Sequence, residues 1–251
     1  MTADPGLPDI LSHALSEAGL NVGDERFALL RQFLNHLLEA NQTLNLTRDA
    51  EPVLAVERHV VEPLAAWRAV ESMLPAGALI DVGSGGGAPG LPIAIVAPDR
   101  PVTLLETRER KAAYLQESVA ALGLKNVTVH HGRAEEYAKG AGRERFAVAL
   151  VRALARLPIA VEVLLPFVES GGSCVFFAGP SVEEQLAAAT GVAQRVGGAA
   201  PKVQAVSWPG SSRDLRLVTI AKLTPSPARY PRSVRRLKKD LARARRTPRT
   251  G

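Results

Sequence analysis

Cysteine is nearly absent from this chain of 251 residues: Cys174 is the only one, beside two methionines and only 4% aromatic residues. A single thiol excludes an internal disulfide framework and fits a reducing compartment. No apolar run reaches the roughly 18 residues that a membrane-crossing helix needs. The first ten residues, MTADPGLPDI, lack a basic stretch followed by an apolar one, so no secretory signal is expected. No cysteine and histidine spacing suggests a metal site, and none is expected. These gaps point to a cytoplasmic protein with no membrane partner, and a monomer is expected.

What is present suffices for a core, since 46% of residues are hydrophobic, which excludes wholesale disorder. The net charge of +6 is unevenly spread. From Arg229 to Gly251 ten Lys/Arg face one acid, Asp240, so this stretch carries +9 and residues 1–228 carry 6 − 9 = −3. The basicity belongs to a C-terminal arm, suited to a polyanion because each phosphate neutralised releases counterions.

Residues 24–41 show helical spacing, with Phe27, Leu30, Phe33/Leu34 and Leu37/Leu38 recurring at three and four and Asp24 as an N-cap. Residues 51–73 continue it through Val53, Val56, Val60/Val61, Leu64, Trp67 and Val70, with a kink expected at Pro63. From residue 78 short β-prone runs alternate with helical stretches. Strands are expected at 78–82, 102–106, 127–131, 146–151, 173–178, 203–207 and 214–222, and helices near 90–97, 108–122, 134–138 and 156–168. The alternation predicts five parallel strands covered on both faces, followed by an antiparallel pair. The expected organisation is a helical extension packed on the main domain (1–75), an α/β domain (76–224) and the basic tail (225–251).

The most informative segment is Asp81-Val-Gly83-Ser84-Gly85-Gly86-Gly87-Ala88-Pro89-Gly90, between an expected strand and helix. Glycines let backbone approach a ligand closely, and a helix start offers unpaired N–H groups. Glu106 ends the next strand, where a nucleoside ribose would place its hydroxyls. An acid two residues before the first glycine would repel a pyrophosphate but welcome a ligand amino group. S-adenosylmethionine, with a sulfonium, an amino-acid end and no phosphate, therefore fits better than a dinucleotide. Thr107 and Arg108 follow Glu106, and Gly132-Arg133-Ala134-Glu135-Glu136 at the third strand's end offers an N–H and a carboxylate to an adenine. Glu135 and Glu136 equally suit a helix first turn.

Arg152 ends the fourth strand, placed to hold a carboxylate or phosphate, with a structural ion pair as the rival reading. His59 lies beside Arg58 and Glu62 and serves either helix packing or the site. His130 and His131 read as ordinary strand residues, and Cys174 as inert core. No Asn-Pro-Pro-Tyr-like tetrapeptide follows the fourth strand, which argues against methylation of an adenine amino group. A guanine N7 has an in-plane lone pair and loses no proton when alkylated, so its reaction needs proximity and alignment but no general base.

The series Asn41-x-x-x-Asn45-Leu46-Thr47, Glu57-Arg58-His59, Asp81 to Gly90, Gly132-Arg-Ala-Glu135, Arg152-Ala153 and Tyr230-Pro-Arg232 resembles the RsmG (GidB) family from about residue 25 to 232. The resemblance implies a class I S-adenosylmethionine-dependent methyltransferase fold, Rossmann-like, with a seven-stranded mostly parallel sheet and a helical N-terminal extension. It implies methyl transfer to N7 of a guanine in 16S rRNA of the small ribosomal subunit, and cofactor contacts at Gly83, Ala88, Glu106, Ala134, Glu135 and Arg152. With Asp81, Ser84, Gly85, Gly90, Thr107 and Arg108 these make the candidate cofactor-binding set; Arg152 and His59 are the candidate catalytic residues. Three positions depart from the family: Ala88 is smaller than usual, Ala178 replaces a lysine before Gly179-Pro180, and Arg216 is offset by one. Two rival functions share the fold, a small-molecule methyltransferase and an RNA-binding assembly protein without catalysis.

Overall fold

A computed structural model describes residues 6–211, 213–233, 236, 237 and 239. The chain opens with α1 (Leu7–Glu17), which buries Leu11 and Leu15, and α2 (Asp24–Leu44), which buries Leu30, Phe33, Leu34 and Leu37 at helical spacing. Asn45 takes a left-handed conformation (φ 50°) and ends α2, a role its short polar side chain tolerates. The Glu51 carboxylate then caps α3 (Pro52–Val56) by accepting from the amides of Val53 and Leu54 at 3.2 and 3.0 Å. A π turn over Glu57–Val61 joins α3 to α4 (Glu62–Val70) without a break. The irregularity in this stretch is the π turn just before Pro63, in place of the expected kink.

The α/β part follows the expected alternation: β1 (Leu79–Val82), α5 (Gly90–Val96), β2 (Val102–Glu106), α6 (Glu109–Ala121), β3 (Val127–His131), α7 (Ala134–Tyr137), β4 (Phe146–Arg152), α8 (Leu157–Leu164), β5 (Val168–Ala178), α9 (Leu186–Arg195), β6 (Lys202–Val206) and β7 (Leu215–Ala221). The sheet order is β3-β2-β1-β4-β5-β7-β6. The first five strands run parallel, and β7 pairs antiparallel with both β5 and β6. Strand order reverses at β1, between β2 and β4, so a crevice opens beyond the carboxyl ends of those strands.

Two apolar clusters cover the sheet. One joins α1, α2, α4, α5 and α6 to it, and the other joins α8 and α9. Cys174 is fully buried in the second, and burial pushes its thiol up, as inert core requires. Two elements differ from the sequence expectation. Helix α9 has no counterpart among the expected helices, because its buried stripe is only Ala189, Val192 and Ala193. Strand β5 starts five residues early at Val168, with its register against β4 shifting between Phe146 and Val148. Gly171 (φ 91°) and Gly172 lie in this early part of the strand, and the Gly172 position approaches the Ala147 carbonyl too closely for a side chain.

The basic arm begins inside the folded structure. Arg232 binds the buried Glu162 carboxylate through Nε and Nη2 at 2.9 and 2.7 Å, and Arg143 donates to the Tyr230 carbonyl at 2.9 Å. Arg232 is thus engaged internally, a correction to the picture of a free arm starting at Arg229. Most of the arm beyond it, including everything from Asp240 onward, lies outside the described residues.

Candidate functional site

Two cavities sit side by side at the carboxyl end of the sheet. The first, about 380 Å³, is lined by Val82, Gly83, Leu105, Thr107, Arg108, Gly132, Arg133, Ala134, Glu135, Leu154, Ala155 and Ile159. The second, about 500 Å³, opens past the ends of β4 and β5 and is lined among others by Arg58, Glu62, Arg152, Phe177, Ala178, Arg213 and Asp214. Leu154 and Ala155 belong to both walls. The turn that carries them starts at Ala153, whose left-handed backbone (φ 58°) is rare for a residue with a side chain.

The glycine loop splits into two roles. Gly83 (φ 79°) faces the first cavity, and a Cβ there would stand 3.3 Å from Leu154 Cδ1. The later glycines face inward. A Cβ at Gly86 would meet Leu37 at 2.9 Å, and one at Gly87 would meet Leu91 at 2.5 Å. At Gly90 it would meet Leu104 at 2.4 Å and the Asp81 carboxylate at 2.8 Å. These glycines let the loop and α5 press against α2, β1 and β2.

Asp81 is buried and spends its carboxylate on this packing, accepting from the Gly90 amide at 3.1 Å. It holds the amide at the start of α5 and is not among the residues that line the cavity, where a carboxylate meeting a ligand amino group was expected. Burial raises its pKa to about 7, against the opposing pull of the Gly90 amide. Ser84 is buried with its hydroxyl on the Asp81 carbonyl at 2.9 Å, and Ala88 and Gly90 are core residues. The small Ala88 therefore affects packing behind the loop and not the cavity wall. Gly85 gives its amide to Glu106 Oε2 at 3.0 Å, while Glu106 Oε1 accepts from the Arg108 amide at 2.8 Å.

Of the candidate cofactor residues, Gly83, Thr107, Arg108, Ala134 and Glu135 line the first cavity and Arg152 the second. Glu106 braces the first from the end of β2. Its two oxygens have about four lone-pair directions, so two remain after the backbone bonds, enough for ribose hydroxyls. With an apolar wall of Val82, Leu105, Leu154 and Ile159, the chamber fits an adenosine-bearing ligand such as S-adenosylmethionine. Glu135 also receives Arg133 at 2.9 Å, in keeping with the alternative reading of a helix first turn.

Arg152 and His59 do come together, in a network that spans the helical extension. Arg152 Nη2 lies 3.4 Å from His59 Nδ1, and His59 Nε2 lies 2.9 Å from Thr47 Oγ1. Asn41 Oδ1 accepts from the Thr47 amide at 2.8 Å. The Asn41, Asn45 and Thr47 signature thus shapes one loop: Asn41 braces it, Asn45 turns it and Thr47 meets His59. Burial first, then the charge of Arg152, lower the His59 pKa to about 3, so its imidazole is neutral. Arg152 donates to the Arg58 carbonyl at 2.5 Å and lies 3.6 Å from the buried Glu62 carboxylate, which also binds Arg58. The ion-pair reading of Arg152 holds, although its side chain still borders the second cavity. Thr47 stands in the sequence signature with Asn41 and Asn45, whereas Glu62 carries no signal of its own; only its nearness to Arg58-His59 points there.

In the β5–β7 ladder Ala178 lies directly across from Arg216, whose guanidinium pairs with Glu183 at 3.2 Å and with Asp214. His130 stacks on Tyr137 at 3.9 Å and His131 contacts the Thr107 carbonyl, both as strand residues. Among the described residues no cluster of three or more His, Cys, Asp or Glu could hold a metal, and no helix is long and apolar enough to cross a membrane.

Comparison with known proteins agrees with this geometry. The profile of GidB, described as rRNA small subunit methyltransferase G, matches residues 26–213. The Ribosomal RNA small subunit methyltransferase G of Clostridium beijerinckii is 33% identical over 225 residues, 89% of this chain and 94% of that protein. Its namesake from Moorella thermoacetica is 35% identical over 224 residues, covering 89% and 93%. Among solved structures, MtNAS in complex with MTA and tNA superposes with a TM-score of 0.52 at 17% identity, covering 87% of this chain and 86% of that one. That likeness concerns the fold alone. On the family profile and these relatives, the chain belongs to the rRNA small subunit methyltransferase G family.

Proposed function

We propose that this enzyme transfers a methyl group from S-adenosylmethionine to N7 of a guanine in 16S rRNA. The observation that carries the reading is the pair of chambers at the carboxyl end of the sheet, which share Leu154 and Ala155 in their linings. When bound, S-adenosylmethionine supplies an electrophilic methyl on a sulfonium sulfur. The chain's task is to hold and align. Glu106 takes the ribose hydroxyls, Ala134 and Glu135 locate the adenine, and Gly83, Thr107 and Arg108 close the chamber around them. The larger cavity receives the extruded base, which must leave its stack to reach such a pocket. Arg152, with Arg58 and Arg213 on the same wall, offers positive charge to the RNA backbone.

The wall offers no strong base, in agreement with a reaction that needs none. Guanine N7 attacks through a lone pair and no proton departs. The carboxylates on the acceptor wall, Glu62 and Asp214, are both paired with arginines, and burial makes the neighbouring His59 a weak base. The test is mass spectrometry of 16S rRNA from a strain lacking the gene, before and after complementation. One N7-methylguanine should return with the gene. A methyl group on an exocyclic nitrogen, or no change in the rRNA, would reject the reading.

A further inference from the structure

The π turn at Glu57–Val61 has a consequence for one carbonyl. In an α-helix the Arg58 carbonyl would accept from the amide of residue 62, and in a π turn from that of residue 63. Here the Glu62 amide donates to the Glu57 carbonyl instead. Residue 63 is proline and has no N–H. The Arg58 carbonyl is therefore left without a donor from its own helix, in a part-buried setting where an unpaired carbonyl is costly. Arg152 fills it, with Nη1 at 2.5 Å, after crossing 94 positions of sequence. The Glu62 carboxylate, 1% exposed, stands beside it and shares its charge between Arg58 and Arg152.

We propose that the π turn, Pro63 and Glu62 form a receptor that fixes the Arg152 guanidinium in the wall of the acceptor cavity, making Pro63 and Glu62 positioning residues. Neither touches the reacting atoms. Proline in a helix ordinarily lowers its stability, and here it keeps an acceptor free for a side chain from β4. The inference rests on the reading that Arg152 serves the RNA at that cavity.

The test uses the full-length enzyme with Pro63→Ala, Glu62→Gln and Arg152→Ala variants, assayed on 16S rRNA from a strain lacking the gene. Pro63→Ala restores an N–H that competes for the Arg58 carbonyl. Its kcat/KM for RNA should fall about tenfold, while affinity for S-adenosylmethionine stays unchanged and Tm holds or rises. A proline with a merely structural role would leave the rate untouched. A second readout, independent of rate, is the nitrogen-15 NMR signal of the Arg152 Nη–H groups, protected from exchange in the parent and exposed in Pro63→Ala and Glu62→Gln. Parent-like rates and parent-like Arg152 signals in both variants would overturn the proposal. If Arg152→Ala itself keeps the parent rate, the role given to Arg152 falls first. If Arg152→Ala is slow while the other two are fast, only the receptor falls.

Discussion

His59 and Asp81 are both buried, and burial moves them in opposite directions, His59 down to about 3 and Asp81 up to about 7. Between pH 3 and 6.5 the unfolded chain binds a proton on His59 that the folded chain does not. Stability from His59 is thus complete above 6.5 and lost as pH falls. Between 3.8 and 7 the folded chain binds a proton on Asp81 that the unfolded chain lacks, so its contribution is complete below 3.8 and lost as pH rises. The two slopes oppose each other where the windows overlap. Asp81→Asn, which keeps an acceptor for the Gly90 amide, should expose the His59 slope. Relative to the parent, its stability should climb with pH by up to about 1.4 kcal/mol per unit between about pH 4 and 6.5. His59→Gln should show the reverse trend. Urea denaturation across that range checks both, and parallel curves for parent and variants would reject the assignment.

At the scale of elements, the glycine loop owes its conformation to what lies behind it. Gly90 has an ordinary φ, so its need is space: Ala at this position would press on Leu104 and on the carboxylate that caps α5. Gly90→Ala should cost about 1–3 kcal/mol by overpacking, read by chemical denaturation. A loss below a few tenths would mean that Leu104 rotates aside freely. The same region shows what could be foreseen. The loop, all seven strands and the antiparallel end were legible, because β-prone runs separated by glycine and polar breaks mark them locally. Helix α9 was not, since alanine and glycine leave hardly any periodic signal. The direction of Asp81 was not legible either: a residue at a strand end is visible in sequence, but whether it faces a ligand or a helix N-terminus depends on packing. Least visible was the partnership of Arg152 with Arg58 and Glu62, which forms only when β4 closes on the helical extension.

At the scale of the molecule, charge and fold are divided. Residues 1–228 carry −3, and the cationic excess lies in the last part of the chain. Because Arg232 is held by Glu162 and Leu237 is buried, a cut meant to test the arm belongs after Lys239 and not near Tyr230. That cut removes Arg243, Arg245, Arg246 and Arg249 together with Asp240. RNA affinity should drop, and the dependence of log affinity on log salt should flatten by about 0.7 for each phosphate that the arm no longer neutralises. Catalysis at saturating RNA should be retained. An unchanged salt slope, measured by fluorescence anisotropy, would remove the arm from RNA binding.

The wall that Leu154 and Ala155 lend to both cavities also bears on inhibition. Two ligands in neighbouring rooms do not compete with each other, and a single compound joining an adenosine half to a purine half by a short bridge would span that shared wall. Its second half would then bind as a tethered guest at millimolar effective concentration, and its potency should exceed either fragment by orders of magnitude.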